Sequence, residues 1–369
     1  MIRRASILWS FGPCYESEQF DGCSTRRRAL LNFFEAQGEL SCLNLASHGA
    51  LWDFSILYSR AIAFLLNTAK FDQLILFYPD VPFFHPPHKL KALHFLTFLR
   101  VAKRACRQRG AELLVDVVDL PRWQAPCLGY TLRISASFLR KIEKEIFSAA
   151  DRLILPSQSL LNLLAEDLSL NEGKMFVLPN GLPWEDHQDL QEVEGEPAFF
   201  YAGDLSLSRS RGIDELVDGF FKKAPEEAVL HLCGEGGDWL HGRAVVRDDH
   251  PKLVYHGHLD QRSCLSLARS CDFALIPYPE DDYFQVCFPS KLGLYISAGL
   301  PVLSTNLKET RKVLEEWKIG EARSFDNFSD FFASSIELLQ RYDRQAIREQ
   351  CKKWNWSRRV KAVYSSGVG

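Results

Sequence analysis

Ala198-Phe199-Phe200-Tyr201-Ala202-Gly203 begins the stretch that decides the fold. It is a short apolar run closed by glycine, followed by a polar loop from Ser206 to Arg211 that holds two arginines. Gly212 then opens an amphipathic stretch to Lys223, and Ala228–Cys233 is a second apolar run, closed by Gly234-Glu235-Gly236-Gly237. Apolar runs of this length suit strands buried on both faces, and a helix between two of them makes a βαβ unit with parallel strands.

Outward from this unit the rhythm continues. Downstream, strands are expected at Lys252–His256, Asp272–Pro277 and Pro301–Ser304, with helices at Gln261–Ser270, Pro289–Ala298 and Leu307–Trp317, then a helical tail from about Ser329. Upstream, strands are expected at Ser6–Trp9, Leu40–Leu45, Gln73–Tyr78, Glu112–Val118, Arg152–Leu155 and Lys174–Leu178. Helices at Ser24–Gln37, Ser55–Ala69, Lys89–Arg109, Tyr130–Ala149 and Ser157–Asp167 fill the intervals. Gly181 to Pro197 breaks the alternation with turn residues and acids, which marks a linker. The expected fold class is α/β, with two doubly wound parallel-sheet domains and a cleft between them. At 369 residues the chain exceeds one ordinary core, which agrees.

Composition narrows the class. With 46% hydrophobic and 25% charged residues and no biased tract, the chain reads as a globular enzyme. Residues 1–180 hold 21 Lys/Arg against 17 Asp/Glu, and residues 181–369 hold 23 against 30, so the first half is the basic one. The net charge of −3 and the lack of a recognition motif argue against nucleic acid as a partner. The ten cysteines form no C-x-x-C pair and have no His at zinc spacing, as expected of reduced cytosolic thiols, so no metal is expected. The apolar run after Met1-Ile2-Arg3-Arg4 is short and reads as a first strand, and Arg60 interrupts the run from Phe54 to Leu66, so no spanning helix is expected.

Open parallel sheets bind ligands beyond the carboxyl ends of their strands, where glycine turns admit a phosphate. Gly203, Gly234 and Gly257 each follow a strand of the second half, with His256 beside the last. In Phe288-Pro289-Ser290-Lys291-Leu292-Gly293-Leu294-Tyr295, Pro289 suits a first helical turn and places Ser290 and Lys291 where an anion is favoured.

The order of these segments resembles the GT-B glycosyltransferases, in particular family 4 and its relatives. The resemblance rests on Ala150-Asp151-Arg152-Leu153-Ile154-Leu155-Pro156-Ser157, Pro179-Asn180-Gly181, Tyr201-Ala202-Gly203 with Arg211-Gly212-Ile213, Leu230 to Gly236, and Ala298-Gly299-Leu300-Pro301-Val302, with a late Trp356-Ser357-Arg358-Arg359-Val360. These cover about residues 140 to 365; earlier residues resemble the family in rhythm alone. Two positions depart from it: Asp204 stands where members carry an arginine after the glycine, and Leu294 where they carry a ribose-binding glutamate. The Pro-x-Lys-x-x-x-Tyr pattern of Pro289, Lys291 and Tyr295 is similar to a divergent bacterial branch that assembles polysaccharide or glycoprotein glycans.

The resemblance implies an acceptor domain over residues 1–180, a donor domain over 181–350, and a helix over 351–369 that returns to the first. It also implies a UDP- or GDP-linked sugar as donor, no other cofactor, and a glycan or lipid-linked acceptor. Donor-binding candidates are Gly203, Arg209, Arg211, Gly234, His256, Gly257, Pro289, Ser290, Lys291 and Tyr295, with Lys291 and Arg211 first for the diphosphate. Asp119, at the carboxyl end of the Glu112–Val118 strand, is the candidate base for the acceptor hydroxyl, against a plain turn aspartate before Pro121. Gly12 and Gly22 are expected in the loop after the first strand, and Arg26-Arg27-Arg28 on a solvated helix face. His85 and His88 read as loop residues. Lys89–Arg109 mixes leucines and phenylalanines with seven cations, which suits either a core helix with a basic face or peripheral contact with an anionic membrane. A sugar-nucleotide epimerase or hydrolase, or a catalytically silent partner subunit, are the alternative functions.

Overall fold

The computed structural model describes residues 6–10, 22–37, 40–44, parts of 59–67, 71–79, 89–180 apart from 133, 197–207, 209–240, 252–353 and 356–365. It comprises two compact units, Met1–Pro179 with Ser357–Gly369, and Asn180–Trp356. Gly12, His85, His88 and the linker after Asn180 lie outside the described residues.

In the first unit, strands β1 (Ser6–Ser10), β2 (Leu40–Asn44), β3 (Gln73–Tyr78), β4 (Glu112–Val117), β5 (Arg152–Leu155) and β6 (Met175–Val177) form one parallel sheet in the order β2-β1-β3-β4-β5-β6. Helices α1 (Gly22–Gln37), α2 (Lys89–Arg109), α3 (Pro121–Leu128), α4 (Ala136–Ala149) and α5 (Gln158–Leu168) connect them. Every residue of β3 is buried, which is why Gln-Leu-Ile-Leu-Phe-Tyr carries no polar alternation. Gly22 is the first residue of α1 and not a loop residue.

The second unit repeats the plan. Strands β7 (Ala198–Ala202), β8 (Val229–Cys233), β9 (Leu253–Tyr255), β10 (Phe273–Ile276), β11 (Val302–Thr305) and β12 (Gly320–Arg323) are parallel in the order β12-β11-β10-β7-β8-β9. Counted within this unit, that is the 3-2-1-4-5-6 order of a Rossmann sheet, reversing direction between β7 and β10. Helices α6 (Ile213–Lys223), α7 (Gln261–Arg269), α8 (Asp282–Val286), α9 (Lys291–Ser297), α10 (Lys308–Trp317), α11 (Asp330–Ala333), α12 (Ser335–Leu339) and α13 (Arg344–Lys353) complete it. Phe199, Phe220, Phe273 and Phe332 meet edge-to-face or stacked, so one aromatic cluster joins β7 and β10 to α6 and α11.

The last helix, α14 (Trp356–Ser365), packs in the first unit, while α13 with Cys351 belongs to the second. A buried charge cluster fixes it. Arg26 on α1 donates to both carboxylate oxygens of Asp116 on β4, at 2.8 and 3.1 Å, and to the Leu178 carbonyl at 2.7 Å. Tyr364 on α14 donates to the same carboxylate at 2.8 Å. Arg26 is 2% exposed and Asp116 fully buried, so the solvated face expected for Arg26 is corrected. A bidentate fork to a buried carboxylate, 90 residues away in sequence, offsets much of the cost of removing the arginine from water.

Candidate functional site

The second sheet reverses order where β7 meets β10, and the sequence-expected cations converge there. The two strands pair only at Phe199–Phe273 and Phe200–Ala274. Beyond that point the Tyr295 hydroxyl bridges them, accepting from the Ala202 amide at 3.2 Å and donating to the Leu275 carbonyl at 3.1 Å. Tyr295 has thereby committed its only proton to the scaffold. Lys291 lies one helical turn earlier, on the same face of α9 as Tyr295.

The Lys291 ammonium sits 3.8 Å from the centre of the Tyr201 ring and 4.8 Å from that of Tyr278. Tyr201 is the penultimate residue of β7, and Tyr278 is the second residue after β10. The Arg211 guanidinium faces the Tyr278 ring at 5.9 Å, held there by the 3-10 turn Arg209–Arg211 before α6. Two aromatic rings and two cations thus close around the switch point, an arrangement supported by cation–π attraction.

Among the described residues, no carboxylate forms an ion pair with Lys291 or Arg211. Lys291 Nζ and Arg211 Nε are buried and have no hydrogen-bond partner among the described residues, while the buried Tyr201 hydroxyl lies beside Tyr278 and Arg211. Burial, and after it the charge of Arg211, holds the Lys291 amine well below the ordinary lysine range, with Asp204 acting weakly the other way. Burial also opposes the Arg211 charge, but Tyr278, Tyr201 and Asp204 outweigh it and keep Arg211 above its ordinary range. Asp204 itself accepts from the Ser206 amide and hydroxyl, at 2.8 and 2.5 Å, and so is tied into its own turn. Unpaired buried donors of this kind are costly, and an anionic ligand would satisfy them.

Gly203 explains how the ammonium fits. A Cβ there would lie 2.8 Å from Lys291 Nζ and 2.9 Å from the Tyr201 hydroxyl. A Cβ on Gly234 would come within 1.7 Å of the Gly203 carbonyl, so that glycine serves the packing of the β7 and β8 loops on each other. Pro289 is buried and accepts from the Leu292 amide at 3.2 Å, while Ser290 is exposed and makes no side-chain cap.

Other candidates are not brought to the cluster. Arg209 is 92% exposed and lies 3.7 Å from Asp214. His256 Nε2 is 2.9 Å from His231 Nδ1, and the two rings stack at 5.2 Å; burial and then His256 push His231 down to about 4. Gly257, at φ 65°, has open space around it and accepts from the Gly234 amide.

In the first unit, Asp119 lies two residues past β4, half-buried at the carboxyl end of the sheet. Gln124 donates to its carboxylate at 3.1 Å, and the Tyr130 hydroxyl donates to the Gln124 carbonyl oxygen at 2.7 Å. Burial and then Asp119 push Tyr130 up to about 12. Among the described residues, no three His, Cys, Asp or Glu side chains gather as a metal-binding group. Nor, among the described residues, is any helix long and apolar enough to cross a membrane.

Sequence reasoning missed Tyr201 and Tyr278 as the walls of this cluster. The available signal was an aromatic residue near the carboxyl end of each strand flanking the switch point.

No protein-family model matches the chain. It is 26% identical over 257 residues, 64% of its length, to TuaH of Bacillus subtilis strain 168, named as a teichuronic acid biosynthesis glycosyltransferase. It is 26% identical over 202 residues, 51% of its length, to WbjE of Pseudomonas aeruginosa, named as a glycosyltransferase. The matches span 61% and 49% of those two relatives. Among solved structures, the lipopolysaccharide outer core galactosyltransferase WaaB superposes with a TM-score of 0.64 at 13% identity, over 99% of this chain and all of the other. HepE of Anabaena, in complex with UDP, superposes with a TM-score of 0.62 at 13% identity, over 98% of this chain and all of the other. At that identity the likeness shows the fold, which is GT-B.

Proposed function

We propose that the chain is a glycosyltransferase that moves a sugar from a UDP- or GDP-linked donor to a glycan, lipid-linked or protein-linked acceptor, in polysaccharide or glycoconjugate assembly. The observation that carries this reading is the buried Lys291 ammonium, without a hydrogen-bond partner, beside Arg211 at the switch point of a Rossmann-ordered sheet. Two cations there suit a diphosphate, whose negative charge grows as it leaves the sugar. The names of the relatives and the UDP bound to HepE support the same donor class.

In this reading the second unit binds donor and the first binds acceptor. Tyr295 and Gly203 act on the donor through Lys291: one holds the strands that flank it, the other leaves room for its ammonium. In an inverting transfer, the acceptor oxygen forms its bond to the anomeric carbon as the bond to the diphosphate breaks, and Asp119 takes the acceptor's proton. Gln124 fixes the carboxylate for that role. The protein's place is the cytoplasm, with the basic first unit at the membrane surface.

Calorimetry of the whole chain with UDP, GDP and the corresponding nucleosides tests the reading, which expects diphosphate to be bound more tightly than nucleoside. Labelled donor then separates transfer from epimerisation, since epimerisation needs no acceptor. Asp204 and Leu294, in place of the arginine and glutamate of similar enzymes, favour a silent partner subunit as the second reading. Such a subunit would bind neither diphosphate.

A further inference from the structure

The first unit holds a second feature, at the amino ends of its strands, opposite the carboxyl ends where Asp119 lies. The carboxyl-terminal half of α2, the end of α4 and the chain entering β5 and β6 enclose a cavity of about 870 Å³. Five cationic side chains line it against two carboxylates. Two of the cations are already engaged. Lys103 pairs with Asp151, and Lys174 donates to the carbonyls of Phe147, Ser148 and Ala150 at 2.7, 3.2 and 3.1 Å, closing the end of α4.

Arg100, Arg104 and Arg107 are different. They are exposed, stand on successive turns of one helix, and have no side-chain partner among the described residues. Like charges three and four residues apart repel, so the helix bears this arrangement at a cost in stability. Behind them, the buried Leu96 and Leu99 give the cavity an apolar inner wall.

The same face continues toward the start of α2. Leu90, Leu93, Thr97, Arg100, Arg104 and Arg107 recur at steps of three and four, which aligns them along one side of the helix. Leu90 is 52% exposed and Leu93 49%, so two leucines a turn apart present apolar surface on this face. Exposed leucines beside unpaired arginines, with an apolar wall behind, match an amphiphilic anion and not a purely soluble one.

We propose that this face of α2 docks on an anionic membrane surface. Arg100, Arg104 and Arg107 take lipid headgroup phosphates at the mouth of the cavity, while Leu90 and Leu93 enter the boundary between headgroups and acyl chains. The inference deepens the peripheral-membrane reading above by naming its residues and its lipid chemistry. It uses none of the donor-site residues.

Flotation of the whole chain with phosphatidylcholine vesicles, with and without phosphatidylglycerol, tests it. The parent binds only the anionic vesicles, and salt releases it. Each arginine near such a surface is worth roughly fivefold in partitioning, so Arg100→Gln with Arg104→Gln weakens binding by about 25-fold. Leu90→Ser with Leu93→Ser also weakens it, and both variants keep the parent's nucleoside diphosphate affinity, whatever that affinity is. Equal flotation of the arginine variant and the parent overturns the proposal. So does equal binding to pure phosphatidylcholine, or binding of soluble tripolyphosphate without any binding to vesicles.

Discussion

Replacing Arg26 by methionine exposes what the buried charge cluster contributes to the first unit. The arginine supplies two hydrogen bonds to the Asp116 carboxylate and one to the Leu178 carbonyl, across α1, β4 and the segment after β6. Its loss leaves a fully buried carboxylate facing Tyr364 without its cation. Breaking a buried pair on one side costs about 3–5 kcal/mol, most of it from the charge left behind. The double variant Arg26→Met with Asp116→Leu removes both charges, and such apolar replacements are often close to neutral. The double variant is therefore expected to be more stable than Arg26→Met alone. Because two units need not unfold together, hydrogen exchange at the β4 amides is the suitable assay, reporting the first unit by itself. A single variant costing under about 1 kcal/mol, or a double variant costing as much as both singles summed, would refute the reasoning.

Three further outcomes follow. Asp119→Asn should lower transfer by orders of magnitude with nucleotide affinity nearly unchanged; steady-state kinetics beside calorimetry read both, and unchanged turnover removes Asp119 from the mechanism. Gly203→Ala places a methyl 2.8 Å from the Lys291 ammonium and should weaken diphosphate binding in a folded protein, whereas Gly234→Ala meets the Gly203 carbonyl backbone and should destabilise the unit, as thermal unfolding will register. His231 is held near 4 in the folded chain against an ordinary 6.5, so the unfolded chain binds the extra proton first. Stability from this pair is full above about 6.5 and lost as pH falls toward 4, and His231→Asn should flatten the urea midpoint across that window.

Much of the architecture was legible because buried parallel strands and long amphipathic helices leave strong patterns. Gln73–Tyr78, Arg152–Leu155 and Lys89–Arg109 appear with the bounds their periodicity predicts. Gly320–Arg323 escaped, since Gly-Glu-Ala-Arg is an edge strand paired on one side, with no residue fully buried. The α3 helix escaped because Pro126 lies inside it and Pro121 reads as a turn. Strand order leaves no local trace, so neither the switch point nor the Arg26–Asp116 pair could be read from spacing. The glycines after successive strands were legible as close approaches, but Gly234 approaches the chain's own backbone, which spacing alone does not distinguish from a ligand.

Lys291→Ala and Arg211→Ala, titrated calorimetrically with UDP, GDP and their nucleosides, test the donor site most directly. A charge-assisted contact is worth roughly 1.5–3 kcal/mol, so each variant should stay folded, lose about ten- to a hundredfold in diphosphate affinity, and bind free nucleoside as the parent does. Diphosphate affinity unaltered in both variants would contradict the assignment and move the phosphate site away from the β7–β10 switch point.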